Sequence, residues 1–80
     1  MKIPRDINGI RLALLLSKYG NQIIRQTGSH IRLTTNSFGE HHITIPAHSP
    51  IKIGTLSAIL KDIANHLKIS KEQLINSLFD

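Results

Sequence analysis

The run His30-Ile31-Arg32-Leu33-Thr34-Thr35 alternates polar and apolar side chains. Period two sends Ile31 and Leu33 to one side of a strand and His30, Arg32 and Thr34 to the other. A strand written this way belongs in an antiparallel sheet with one face on a core and the other in water. Its neighbours supply the partners. His41 to Ile45 repeats the alternation, turning Ile43 and Ile45 inward and His42 and Thr44 outward. Gln22 to Gln26 carries β-branched Ile23 and Ile24 at its centre, so it reads as a strand. Those two residues are adjacent, which leaves the phase open, and Arg25 joins the polar face in only one of the two phases. Thr27, Gly28 and Ser29 form a short turn in which Gly28 supplies backbone freedom for a tight hairpin. Asn36 to Glu40, containing Gly39, forms the second hairpin loop. Pro46 and Pro50 bracket an irregular stretch, because neither can donate to a ladder.

Helical periods lie on both sides of this β block. From about Gly9 to Tyr19, Leu12, Leu15, Leu16 and Tyr19 share one face, with Asn8 as N-cap and Gly20 as the stop. Arg11 and Lys18 occupy the opposite face. A second helix is expected after Gly54, capped by Thr55, with Leu56, Ile59, Leu60, Ile63 and Leu67 as its apolar stripe. His66 lies near its C-terminal end, where a cation suits the helix dipole. In the last segment, Ser70 and Gln73 make a capping box, and Ile69 with Leu74 fit a hydrophobic staple, for a short helix over about Lys71 to Leu78. The expected fold is α+β in the order α-β-β-β-α-α, a three-stranded antiparallel sheet with helices on one face.

Eighty residues, 40% of them apolar and 19% charged, are expected to form one folded domain over 1–80. Ten Lys/Arg against five Asp/Glu leave a net charge of +5. The surplus is uneven: residues 1 to 36 hold Lys2, Arg5, Arg11, Lys18, Arg25 and Arg32 against Asp6 alone, and the rest of the chain balances. Such a basic domain points to a polyanion, nucleic acid first. Cysteine is absent, which removes disulfides, thiolate metal sites and thiol nucleophiles. The longest apolar run, Leu12 to Leu16, is too short for a signal-peptide core or a membrane span, so a cytoplasmic protein with no membrane contact is expected.

Chemistry is expected on the open sheet face. Arg32 can hold phosphate oxygens as a bidentate fork. An imidazole such as His30 can move a proton to or from a ribose oxygen near neutral pH. His41 and His42 are consecutive in a strand and face opposite ways, so they do not share a metal, and no metal site or cofactor is expected. His48, between Pro46 and Pro50, reads as a loop-bracing residue, and Ser29 as a turn residue, since no carboxylate supports a Ser–His pair. Lys61 and Lys68 face solvent. Aromatic residues for base stacking are scarce, and of Tyr19, Phe38 and Phe79 only Phe38, in the second hairpin loop, is placed to be exposed.

The stretch Arg25-Gln26-Thr27-Gly28-Ser29-His30 resembles the Gly-Ser-His hairpin of the HicA (YcfA-like) mRNA interferase toxins. Ile43-Thr44-Ile45-Pro46-Ala47-His48, followed by Gly54-Thr55-Leu56, is similar to the second signature of that family. The resemblance implies a double-stranded-RNA-binding-domain-like fold and metal-independent cleavage of mRNA that blocks translation. It implies that His30 is the catalytic residue; Arg25, Gly28, Ser29 and Arg32 are expected to bind the RNA around it. It also implies a HicB-type antitoxin that masks His30 in a hetero-oligomer. One position departs from the family pattern: an aromatic residue commonly follows the glycine that ends the first helix, and here Asn21 stands there, with Tyr19 placed to fill that space from the helix side. His30 is assigned as general base or acid and Arg32 as charge stabiliser, while His42 and His48 are candidates by type for a second proton carrier. The alternative is a non-catalytic RNA-binding module of the same fold, in which His30 only contacts sugar or phosphate.

Overall fold

The computed structural model describes residues 3–47 and 50–79. Helix α1 spans Gly9–Leu16 and tightens into a 3-10 turn over Ser17–Tyr19. Three strands follow, β1 (Gln22–Thr27), β2 (His30–Thr35) and β3 (His41–Pro46), and then α2 (Ile53–Leu67) and α3 (Lys71–Phe79). The strands form one antiparallel sheet in the order β1-β2-β3. This is the α+β order read from the sequence.

The period-two reading of β2 and β3 holds, with Thr34 half-buried rather than fully exposed. Ile31, Leu33, Ile43 and Ile45 are buried, while His30, Arg32, His42 and Thr44 are exposed. The buried side chains meet Leu12 and Leu16 from α1, Leu56, Leu60 and Ile63 from α2, and Leu74 and Ile75 from α3 in one core. Each fully buried aliphatic side chain contributes about 1.5–3 kcal/mol of transfer free energy. Helix α1 lies against β2 and β3 and α2 against β3, while α3 packs on α2. All six residues of β1 are exposed, Ile23 and Ile24 included, so the covering of the inner sheet face stops before the first strand.

The helix ends are built from local chemistry. Asn8 Oδ1 accepts from Arg11 N at 2.7 Å. At the other end, Ser17 Oγ donates to Leu14 O at 2.6 Å, competing with the regular ladder where the helix tightens into its 3-10 turn. The capping box of α3 is complete: Gln73 N donates to Ser70 Oγ at 3.0 Å, and Ser70 N to Gln73 Oε1 at 2.9 Å. Lys18 Nζ donates to Ser77 O at 2.7 Å, placing a cation over the carbonyl end of α3. Ser70→Ala should therefore lower stability by about 1 kcal/mol, read as a shift in urea midpoint at constant m-value.

The start of α2 corrects the expected Thr55 cap. The helix begins three residues earlier, with Lys52 as N-cap and no side-chain cap bond. Ile51 is buried and its N–H donates to Ile7 O at 2.9 Å, so the chain is anchored there and turns into helix at once. Ile53, Gly54 and Thr55 are exposed, which leaves water to satisfy the first-turn N–H groups. Asn21 is buried, its Nδ2 lying 3.5 Å from Leu16 O and its Oδ1 without a partner among the described residues. Tyr19 packs against the core from the helix side.

Candidate functional site

The geometry of the site begins at the first hairpin. Thr27 pairs with His30 across a two-residue loop, and Gly28 takes φ +53° at its first position, where glycine is the residue without a steric penalty. Ala47 N donates to Ser29 O at 2.7 Å, so the loop is bolted to the end of β3. His30 also pairs with Pro46 on its other side. Its backbone is thus held between two strands while its side chain stands in solvent. Ser29 Oγ lies 3.4 Å from His30 Nδ1, and Nε2 has no partner among the described residues.

The phase of β1 is settled by a backbone irregularity. The register jumps from Ile23↔Leu33 to Arg25↔Arg32, leaving Ile24 as an extra, unpaired residue. This is a β-bulge, and it reverses the side-chain phase within the strand. Arg25 and Thr27 therefore stand on the open face with Arg32 and His30. Two adjacent isoleucines in a period-two segment are the sequence signal of that bulge.

Ile24, Arg25, Thr27, His30, Arg32 and Thr44 line an open depression of about 570 Å³. Arg32 Nη1 donates to Thr44 Oγ1 at 2.9 Å, which fixes one edge of the guanidinium. Arg25 and Arg32 are direct cross-strand neighbours, and like charges placed so are destabilising. Among the described residues no carboxylate lines the depression to offset them. An anion seated between the two guanidiniums relieves that repulsion, and a phosphodiester is one that their forks match. Gly28 and Ser29 form the rim rather than the lining. Ile24 and Thr27 join the wall only through the bulged register of β1, while Thr44 stands where the alternation put it.

The other histidines are engaged elsewhere. His42 Nε2 contacts Glu40 Oε2 at 2.6 Å, and its cross-strand partner is Thr34, four residues along β2 from His30. At ~3.3 Å per residue that is about 13 Å, too far to share one scissile phosphate with His30. His41 faces α2, with Nε2 3.3 Å from Asp62 Oδ1 and its ring stacked 4.3 Å from that of His66. His66 Nε2 donates to Ser37 O at 2.9 Å. His48, the expected loop brace, lies outside the described residues. Among the described residues no cluster of three or more His, Cys, Asp or Glu is placed to hold a metal, and no helix is long and apolar enough to cross a membrane.

A protein-family model described as the HicA toxin of bacterial toxin–antitoxin systems matches residues 11–64. The matched stretch contains all three strands and every residue lining the depression. Comparisons with curated proteins and with solved structures returned no match.

Proposed function

The chain belongs to the HicA family of toxins of bacterial toxin–antitoxin systems, and from that premise we propose that it is an mRNA endoribonuclease in which His30 moves the proton. The observation that carries this reading is one imidazole in a depression with two paired guanidiniums and, among the described residues, no carboxylate and no partner for its Nε2. RNA supplies its own nucleophile, the 2′-hydroxyl next to the scissile phosphate. His30 takes the proton of that hydroxyl as the 2′-oxygen bonds to phosphorus. Arg25 and Arg32 hold the equatorial oxygens as negative charge develops on the phosphorane, with Thr44 keeping Arg32 aimed. The bond from phosphorus to the 5′-oxygen then breaks. The leaving oxygen takes a proton from the imidazolium or from water, which gives a 2′,3′-cyclic phosphate and a 5′-hydroxyl. Ser29 steadies the Nδ1 side of the ring, and Gly28 permits the turn that brings His30 to this rim.

On the same reading, mRNA in the cytoplasm is the substrate, and a HicB-type antitoxin neutralises the toxin by covering His30 in a hetero-oligomer. No cofactor enters the scheme. The rival reading, a non-catalytic RNA-binding module, draws on one observation: the described site contains a single imidazole and no second proton carrier.

Matched RNA and all-deoxy oligonucleotides separate the two in the presence of a chelator. The nuclease reading expects both strands to bind and only the RNA to be cut, with 2′,3′-cyclic phosphate ends. About four to six phosphate contacts give a log–log salt slope of about −3 to −4, at ~0.7 per contact. Cutting of the all-deoxy strand would exclude attack by the 2′-hydroxyl. A flat salt response would mean that the basic face meets something other than nucleic acid.

A further inference from the structure

We propose that Phe38 is a stacking platform for one nucleobase of an RNA strand that runs along the open face from His30 toward the second hairpin loop. The proposal rests on the RNA reading above and extends it to a second, remote contact.

Phe38 breaks two rules of folding at once. Gly39 N donates to Asn36 O at 3.2 Å, so Asn36 to Gly39 form one turn with Phe38 at its third position. Its φ is +59°, a left-handed conformation in which that position takes glycine or asparagine. A bulky side chain there is strained by contact between its Cβ and its own backbone. The strain is not repaid by burial, because Phe38 is 77% exposed, the highest value among the exposed large apolar side chains. Tyr19 and Phe79, by contrast, pack against the core. A strained backbone and an aromatic ring in water are two independent costs at one residue, and together they mark a functional position.

The base of the turn is rigid. Ser37 N donates to Thr35 Oγ1 at 3.0 Å, and Ser37 O accepts from His66 Nε2 at 2.9 Å, so the residue before Phe38 is held on both sides. A ring presented from a fixed base loses little entropy on meeting a flat partner. Phe38 lies at the far end of β2 from His30. Five strand residues and the turn put it about 20 Å away at ~3.3 Å per residue, or about six stacked nucleotides at ~3.4 Å each. Glu40, in the same loop, is paired with His42. A nucleobase fits what is offered, since every base has a π-face and stacking tolerates any sequence.

The test is binding of labelled 2′-O-methyl oligonucleotides, which the proposed chemistry does not cut, with a length of about twelve nucleotides to reach both ends and about three to occupy the depression alone. Wild type should bind the longer strand more tightly. Phe38→Asn and Phe38→Leu should each lose about ten- to hundredfold on the longer strand and nothing on the shorter one, while Phe38→Tyr keeps wild-type affinity. Phe38→Asn should also raise Tm, because asparagine tolerates the left-handed turn; a ring serving only the fold would lower it. Unchanged affinity of Phe38→Asn for the longer strand overturns the proposal. Full affinity of Phe38→Leu also overturns it, because it would show an apolar contact, such as a protein partner uses, in place of stacking. If wild type binds neither strand, the RNA reading itself falls and this proposal falls with it.

Discussion

Replacing His30 with alanine should abolish RNA cleavage and leave both the fold and RNA binding in place. A positioned general acid or base is worth about 10²–10⁴ in rate, and the described site has no second imidazole to substitute. The side chain is exposed and makes only a long contact to Ser29 Oγ, so its removal should change stability by less than about 0.5 kcal/mol. Arg25 and Arg32 remain, so affinity for RNA and its salt dependence should stay close to wild type. Induced expression of the two forms is the direct measurement. Wild type is expected to arrest growth with loss of mRNA, while His30→Ala grows normally. Equal toxicity would remove His30 from the mechanism. If neither form is toxic and both bind RNA, the domain is a binding module.

Gly9→Ala is expected to be the most damaging single methyl group in the chain. Gly9 opens α1, and helix propensity alone favours alanine there by about 1 kcal/mol. The Cβ it adds would stand 2.2 Å from Pro46 O and 3.0 Å from Ala47 Cα. Both obstacles are backbone, at a strand end that cannot swing aside like a side-chain tip. Overpacking of this kind should cost about 2–4 kcal/mol in urea denaturation, or a fall in Tm of about 10–30 °C for a domain of this size. The same displacement reaches the site, because Pro46 pairs with His30 and Ala47 bonds to Ser29. RNA cleavage should therefore fall even in the folded fraction. Gly54→Ala is the control: also in a first helical turn, it has no atom within 4 Å of its added Cβ, and it should stabilise slightly. If Gly9→Ala proves as benign as Gly54→Ala, α1 does not sit against the end of β3 as described.

Much of this architecture is legible in the residues because local and tertiary signals agree. The alternation of His30 to Thr35 and of His41 to Ile45 names the buried and open faces correctly, and Ser70 with Gln73 announces the start of α3. The failures have identifiable physics. The phase of β1 is invisible to a period-two rule because Ile24 interrupts the period, so Arg25 reaches the site only through the bulge. Thr55 looked like a cap, but the burial of Ile51 and its bond to Ile7 start α2 earlier, and no local pattern encodes a contact across forty-four residues. The stacking of His41 on His66 and the bond from His66 to Ser37 likewise join segments far apart in the chain. In the candidate site, His30 and Arg32 follow from alternation alone. Thr44 was placed on that face, but its hold on Arg32 required the register of β2 with β3.

The bulge at Ile24 has a consequence for how copies of this protein meet one another. β1 is an edge strand, and an edge with exposed Ile23 and Ile24 offers bare N–H and C=O groups and apolar side chains as a template for another chain. Regular spacing is what makes such a template adhesive, and one extra residue spoils it by twisting the strand and putting its hydrogen-bonding groups out of step. Arg25, turned outward by the same irregularity, adds a charge that a second copy would have to bury beside its own. The broken register of this edge and the placing of Arg25 beside Arg32 thus come from a single inserted residue, and a chain with Ile24 deleted to restore even pairing is expected to lose both.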